Sequence, residues 1–280
     1  MKYPVSQLDL SSPCWDDYRF ALQRLTMPEF PTADELSALL PAGLHSHSGR
    51  PIRLVTASEI PDVAYEQHIF RTGQVSTRAE SWHDLFNALV WSRFPRFKSA
   101  MNALHVTQQN TTQTARRGRL RDALTLIDES GAIVISARKA LLAAIALHDW
   151  RFVFESWFSG PPATGESSQL KLFVCGHALL EKFLQPYKAM TAKVLLLVVD
   201  EATFALPREK QLVWLDNHLA AELLAGRLFN SPADLAPLPL MGIPGWWPLG
   251  SQDEVFYADT DVFRPLGDNS NPAPVFSIPL

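Results

Sequence analysis

Cysteine is scarce in this chain: there are two, Cys14 and Cys175, among 280 residues. That count excludes a disulfide scaffold, and without a Cys-x-x-Cys pair it also excludes a zinc-ribbon or thioredoxin-type motif. Long apolar runs are missing too. The two most apolar stretches, Ala140–Leu147 and Val194–Val199, fall far short of the ~20 residues that span a bilayer. Met1 to Gln7 carries no signal-type apolar segment, so a reducing, cytoplasmic setting with no membrane partner is expected. Excess positive charge is absent: net charge is −4 and the pI about 6.1, which gives no bulk attraction to nucleic acid or anionic lipid. There is no internal repeat, no Gly-x-Gly-x-x-Gly or Walker loop, and no Gly-x-Ser-x-Gly elbow.

What is present is material for a core. The chain is 47% hydrophobic and 19% charged, with 16 Phe and 8 Trp, a globular composition. A single domain over residues 1–280 is expected. Acidic Asp16 and Asp17 precede apolar positions up to Leu25, as at a helix start. Thr32 with Glu35 forms a capping box for a short helix ending near Leu40. Arg53 to Ala57 reads as a short strand. Ser81 to about Leu104 is the longest helical pattern, apolar on most sides at first, and Pro95 should kink or divide it. A polar loop is expected over Thr107–Thr114 and another over Gly160–Ser168.

Leu124–Asp128 and Ala132–Ser136, joined through Glu129-Ser130-Gly131, predict a β-hairpin. Strands are expected near residues 170–174 and 193–199, and helices over Arg138–Trp157, His177–Leu184 and Glu209–Arg227. The expected fold is α+β: a small mixed sheet (the hairpin near 124–136 plus those two strands) packed with helices. From about Asn230 proline is dense, and an irregular tail packed on the core is expected.

Three segments carry candidate chemistry. In Trp82-His83-Asp84-Leu85-Phe86-Asn87, His83 and Asn87 are one helical turn apart on a face that Trp91 continues. Polar groups on so apolar a helix need a partner, a ligand or a cavity. Ser81 and Asp84 also have capping-box spacing, a purely structural use. In Gly176-His177-Ala178-Leu179-Leu180-Glu181-Lys182, a helix opens on a histidine after a strand and a glycine. Free N–H groups there keep His177 neutral, fit to act as a base or metal ligand. Glu181, four residues on, shares its face. The third segment is Arg121-Asp122 leading to Asp128-Glu129, where a solvated turn accounts for the last two. The Arg116, Arg117, Arg119, Arg121 cluster could grip phosphate or RNA. His45 and His47 lack a third ligand. Cys175 reads as a buried packing residue, although a thiol at a helix start is acidified.

Set side by side, these segments resemble a known family. Thr77-Arg78, Ser81 to Trp91, Phe94-Pro95-Arg96, Arg121 to Glu129, Gly176 to Lys182, Gly242-Ile243-Pro244-Gly245-Trp246 and Val262-Phe263-Arg264-Pro265 resemble the bacterial proteins grouped as domain of unknown function 3025. The family-like core would run from about residue 53 to 265. The resemblance implies that His83, Asp84, Asn87, Arg121, Asp122, His177, Glu181 and Lys182 fall in family motif blocks; it implies no substrate or cofactor. The family pattern has Phe where this chain has Cys175, which argues against a thiol mechanism. Its hairpin turn is Asn-Gly where this chain has Ser130-Gly131.

The residues then point to one polar pocket, in an enzyme or ligand-binding protein. His83, Asp84, Asn87, Asp122, His177 and Glu181 are the catalytic candidates. Arg121, Lys182 and Trp91 are the groups for an unidentified small molecule. His83, His177 and Glu181 are the candidate ligands of a divalent metal. Such a set suits acid–base or metal-assisted hydrolysis. The rival reading is a non-catalytic protein that binds RNA or an acidic partner through Arg116–Arg121. The first reading fails if His83 and His177 lie on opposite sides of the core; a salt-sensitive association lost on replacing Arg116, Arg117 and Arg119 would favour the second.

Overall fold

The computed structural model describes residues 5, 8–25, 29–59, 64–109, 115–158 and 169–278. The loop expected over Gly160–Ser168 lies outside them. The one expected over Thr107–Thr114 is helical to Gln109 and then leaves them.

The chain opens with a 3-10 turn at Pro13–Trp15 and two short helices, α1 (Arg19–Arg24) and α2 (Ala33–Ser37). The Thr32–Glu35 capping box is formed in both directions. β1 (Arg53–Thr56), α3 (Tyr65–Thr72) and β2 (Gln74–Thr77) make a parallel two-stranded sheet with its crossover helix. The turn out of α3 needs Gly73: its φ is +74°, and a Cβ there would stand 2.1 Å from the carbonyl oxygen of Pro51.

The long helical pattern becomes α4 (Trp82–Arg93) and α5 (Pro95–Gln109), divided at Pro95. A proline loses nothing at the first position of a helix, where its missing N–H has no intrahelical partner. Asp216 supplies what that helix start still lacks, accepting the backbone N–H groups of Arg96 at 3.0 Å and Phe97 at 2.9 Å.

The hairpin expected over residues 124–136 does not form. Its first arm is the end of a helix, α6 (Ala115–Ser130), and only the second arm is a strand, β3 (Gly131–Ser136). Burial explains the difference: Ala123, Leu124 and Ile127 are buried while Thr125 is exposed, a helical period rather than an alternation. Gly131 is not a turn glycine. A Cβ there would lie 2.0 Å from the Ile127 carbonyl oxygen, so the residue must be bare for the helix to run straight into the strand.

The remaining elements are α7 (Lys139–Ala146), α8 (Trp150–Phe158), β4 (Lys171–Val174), α9 (His177–Lys182), β5 (Thr191–Val198), α10 (Glu201–Phe204), α11 (Arg208–Leu224), β6 (Ala236–Pro239), α12 (Glu254–Tyr257) and β7 (Val275–Ser277). The main sheet runs β4-β3-β5-β6, with β7 also on β5. β3 pairs parallel to β5 and antiparallel to β4, so the sheet is mixed and the fold is α+β. β3 is buried along its whole length. The proline-rich tail is more regular than expected. It supplies β6, where Pro237 and Pro239 sit on an edge that tolerates a missing donor, and β7. No described helix is long and apolar enough to cross a membrane.

The opposite edge, β4, is tied down from both ends of the sequence. Tyr18 donates its hydroxyl to the Val174 carbonyl at 2.6 Å. Arg208 grips buried Asp17 with two nitrogens, at 2.6 and 2.9 Å, and donates to the Leu172 carbonyl.

Candidate functional site

Two close backbone approaches build the site. Gly176 precedes α9, and a Cβ on it would stand 2.3 Å from the Gly131 nitrogen and 2.7 Å from the Glu129 carbonyl oxygen. The carbonyl of Gly131 accepts the N–H groups of both Cys175 and Gly176. The start of α9 is thereby pressed onto the end of α6, and His177 arrives beside Asp128 and Glu129. From the other side α4 packs on α9, which brings His83 across.

The two histidines meet: His83 Nε2 and His177 Nε2 are 2.9 Å apart, with the rings edge to face. Behind His83, its Nδ1 lies 3.1 Å from Glu181 Oε2. A carboxylate only accepts, so Nδ1 of His83 carries the proton and Nε2 presents a lone pair. Behind His177, Nδ1 lies 3.6 Å from Asp128 Oδ2. Glu129 Oε1 is 3.6 Å from His177 Nε2. His83, Glu129 and His177 each offer one ligand atom, all within 4.8 Å of one another.

The charges around them are shifted in ways that can be traced. Burial pushes His177 down to about 4, with Lys98 and His83 acting the same way against the pull of Asp128; the ring is neutral at pH 7. For Asp128 burial acts upward, but Lys98, His177 and His105 outweigh it, and the carboxyl stays below its ordinary range; Lys98 bonds it directly. Glu129 is held above its ordinary value by burial, with Asp128 and Glu181 reinforcing the effect. In Asp84 the bonds from Arg78 overcome burial and keep the carboxyl low.

Of these groups, His83, Asp84, Asp128, Glu129 and His177 line a cavity of about 510 Å³. Its wall includes Tyr65 and Glu66 from α3, Ser76 from β2, Arg78, and His83, Asp84 and Asn87 from α4. His105 comes from α5; Arg121, Thr125, Asp128 and Glu129 from α6; His177 from α9. Asn87 donates to the Tyr65 hydroxyl at 3.0 Å.

Of the residues singled out in the sequence, His83, His177 and Glu181 form one hydrogen-bonded line, and Asn87 and Arg121 share the cavity with the two histidines, while Glu181 lies behind His83 on the neighbouring groove. Asp84 lines the cavity as well, but its carboxylate is engaged by the backbone and guanidinium of Arg78 rather than by a return bond to Ser81. The Ser81 hydroxyl caps the Asp84 nitrogen. Asp122 is exposed on α6 and is not part of the cavity wall. Trp91 is 1% exposed, within the core beneath the site. Lys182 is exposed on a separate open groove beside Trp82 and Tyr187. Cys175 is buried, and burial pushes its thiol well up.

Sequence reasoning passed over Glu129, and it did not find Tyr65, Lys98 or His105. A signal existed for two of these. Lys98, Asn102 and His105 recur at steps of four and three on α5, a buried polar stripe on one helix face.

Fold and site together define a mixed-sheet α+β protein whose helix ends converge two histidines and a carboxylate in an acid-lined cavity. The chain belongs to the DUF3025 family, described as a protein of unknown function; the family's model matches residues 52–267, a span that holds every cavity residue and stops short of β7. Neither a curated protein nor a solved structure matches the chain.

Proposed function

We propose that the cavity is a divalent-metal site and that the protein is a metal-dependent hydrolase, with His83 Nε2, His177 Nε2 and a Glu129 oxygen as the protein ligands. The observation that carries this reading is the facing pair of Nε2 atoms at 2.9 Å. Glu181 fixes the proton of His83 on the outer nitrogen, and Asp128 lies on the outer side of His177. Without an ion His177 Nε2–H donates to His83 Nε2, and buried His177 Nδ1 is left without a hydrogen-bond partner; a cation taking the place of that proton would leave the His177 proton on Nδ1, toward Asp128, and both Nε2 lone pairs facing the ion. Two nitrogens each about 2.1 Å from one ion stand roughly 2.9–3.4 Å apart, so the present separation needs only small adjustment. A carboxylate behind each ligating imidazole is the usual outer arrangement of such sites. Glu129, destabilised as an anion by burial, gains most from a cation.

A divalent ion there supplies Lewis acidity and lowers the pKa of water toward neutrality. Within the chain, Glu129 has a second oxygen for the proton that an attacking water gives up as its oxygen bonds to the substrate. That proton then passes to the leaving group as the scissile bond breaks.

The test is calorimetric titration of chelator-stripped protein with Zn²⁺ and with Mn²⁺. One ion per chain is expected for wild type, about 10–100-fold weaker binding for Glu181→Gln, and loss of binding for His177→Ala and Glu129→Gln. His45→Ala should bind as wild type does. A wild-type protein that takes up neither ion overturns the proposal and leaves the 2.9 Å contact as a histidine–histidine hydrogen bond.

A further inference from the structure

The wall of α6 carries a feature that metal binding does not use. Arg121, Thr125 and Asp128 follow at steps of four and three, share one helix face, and all line the cavity. Asp128 is at the floor beside His177. Arg121 is at the exposed end, about 10 Å along the helix axis at 1.5 Å per residue.

The charges of the wall separate cleanly. Asp84 is taken by Arg78 and Asp128 by Lys98. Glu181 bonds His83, and Glu66 accepts from Asn102. Glu129 faces the histidines. Among the described residues no ion pair or hydrogen bond engages the Arg121 guanidinium. It stands in a cavity rich in carboxylates yet is matched to none of them. The Thr125 hydroxyl donates back to the Arg121 carbonyl at 3.1 Å, so it is already used, and Arg121 is the group on this face left to grip a ligand. A guanidinium presents paired donors that fit a carboxylate or a phosphate.

We infer that Arg121 binds the anionic end, a carboxylate or phosphate, of a small substrate whose hydrolysable bond lies at the His83–His177–Glu129 floor. The inference rests on the metal reading for the reacting end only. The helix spacing makes the anion a different part of the molecule from the bond that is cut. The substrate class is thus a small hydrolysable molecule that carries a separate carboxylate or phosphate group. One member of the basic cluster noted in the sequence then serves the cavity rather than an RNA surface.

The experiment is NMR titration of full-length protein, freed of metal on a chelating resin, with inorganic phosphate and separately with acetate at constant ionic strength. One of the two should shift the signals of α6 around Arg121 saturably, and which one does so separates a phosphate-bearing from a carboxylate-bearing substrate. Arg121→Met should weaken that binding at least about tenfold, a loss of roughly 1.4 kcal/mol, while Arg119→Met leaves it unchanged. Wild-type protein that binds neither anion, or an Arg121→Met protein that binds as tightly as wild type, overturns the inference. The metal content of Arg121→Met is read in parallel. Anion binding that persists in wild type where no metal binds would sink the metal reading and leave the Arg121 site standing.

Discussion

His177 is a neutral imidazole by construction. It is buried among groups that include Lys98 and another histidine, and its folded pKa is pushed down to about 4 from 6.5. The consequence for stability has a definite sign. In the unfolded chain the ring takes a proton as pH falls below about 6.5, while the fold refuses it until about pH 4. His177 therefore contributes stability above pH 6.5 that is lost as the pH falls to 4, up to about 3 kcal/mol for a shift of this size. Chelator-treated wild type should lose melting temperature across that window more steeply than His177→Gln. Parallel melting curves for the two would contradict the assigned environment. The cysteines give a second check at this scale. Burial raises Cys14 to about 12 and Cys175 further still, so a thiol-specific chromogenic reagent at pH 8 should label neither in the native protein and both after denaturation. Rapid labelling of native Cys175 would revive a thiol at the site.

At the scale of elements, the site depends on how tightly α9 is set against the end of α6. Gly176→Ala puts a methyl group 2.3 Å from a backbone nitrogen, and backbone cannot yield as a side chain can. Overpacking of this kind costs typically 1–3 kcal/mol, and relieving it requires α9, which carries His177, or the end of α6, which carries Glu129, to shift. Gly176→Ala should therefore lose both thermal stability and metal affinity, whereas Gly226→Ala, which meets nothing within 4 Å, should keep its metal affinity. Equal metal binding by both would show that the glycine contact does not set the site. This junction was also where the sequence misled. α4, the break at Pro95, α9 and the β5 run were legible because a single strong signal governed each: period, proline, helix start, apolar run. Leu124-Thr125-Leu126-Ile127 is equally compatible with a buried strand and with a helix flank, and the following Gly looked like a turn. Only the partners decide it: Ala123, Leu124 and Ile127 all face inward. Reading a hairpin there hid Glu129 in a solvated turn and broke the α6 stripe that joins Arg121 to Asp128. Tyr65 and His105 reach the cavity through the packing of α3 on α5, and no local pattern encodes that.

The whole molecule is stitched across long sequence distances. Asp17, 7% exposed, meets Arg208 of α11, and Arg208 also holds the β4 carbonyl of Leu172 and lies over the Phe173 ring at 4.3 Å. Removing one partner of a buried ion pair strands the other and costs about 3–5 kcal/mol. Arg208→Met should lower chemical-denaturation stability by that order, and Asp17→Asn/Arg208→Met should recover part of the loss. A single variant as stable as wild type would mean that the tie is dispensable. The family match ends before β7, yet β7 pairs with the central strand β5, so the sheet is completed by residues outside the family span.

His83 and His177 are 94 residues apart in sequence and 2.9 Å apart in space, on two helices, α4 and α9, that pack directly on each other in the folded chain. An unfolded chain offers an ion scattered single ligands; the folded one offers them converged. Any ion that binds there therefore selects the native state and raises its melting temperature in proportion to the logarithm of its concentration. With the metal proposed here, the bridge between the two rings would turn the abundance of that metal in the surroundings into the fraction of the chain that stays folded.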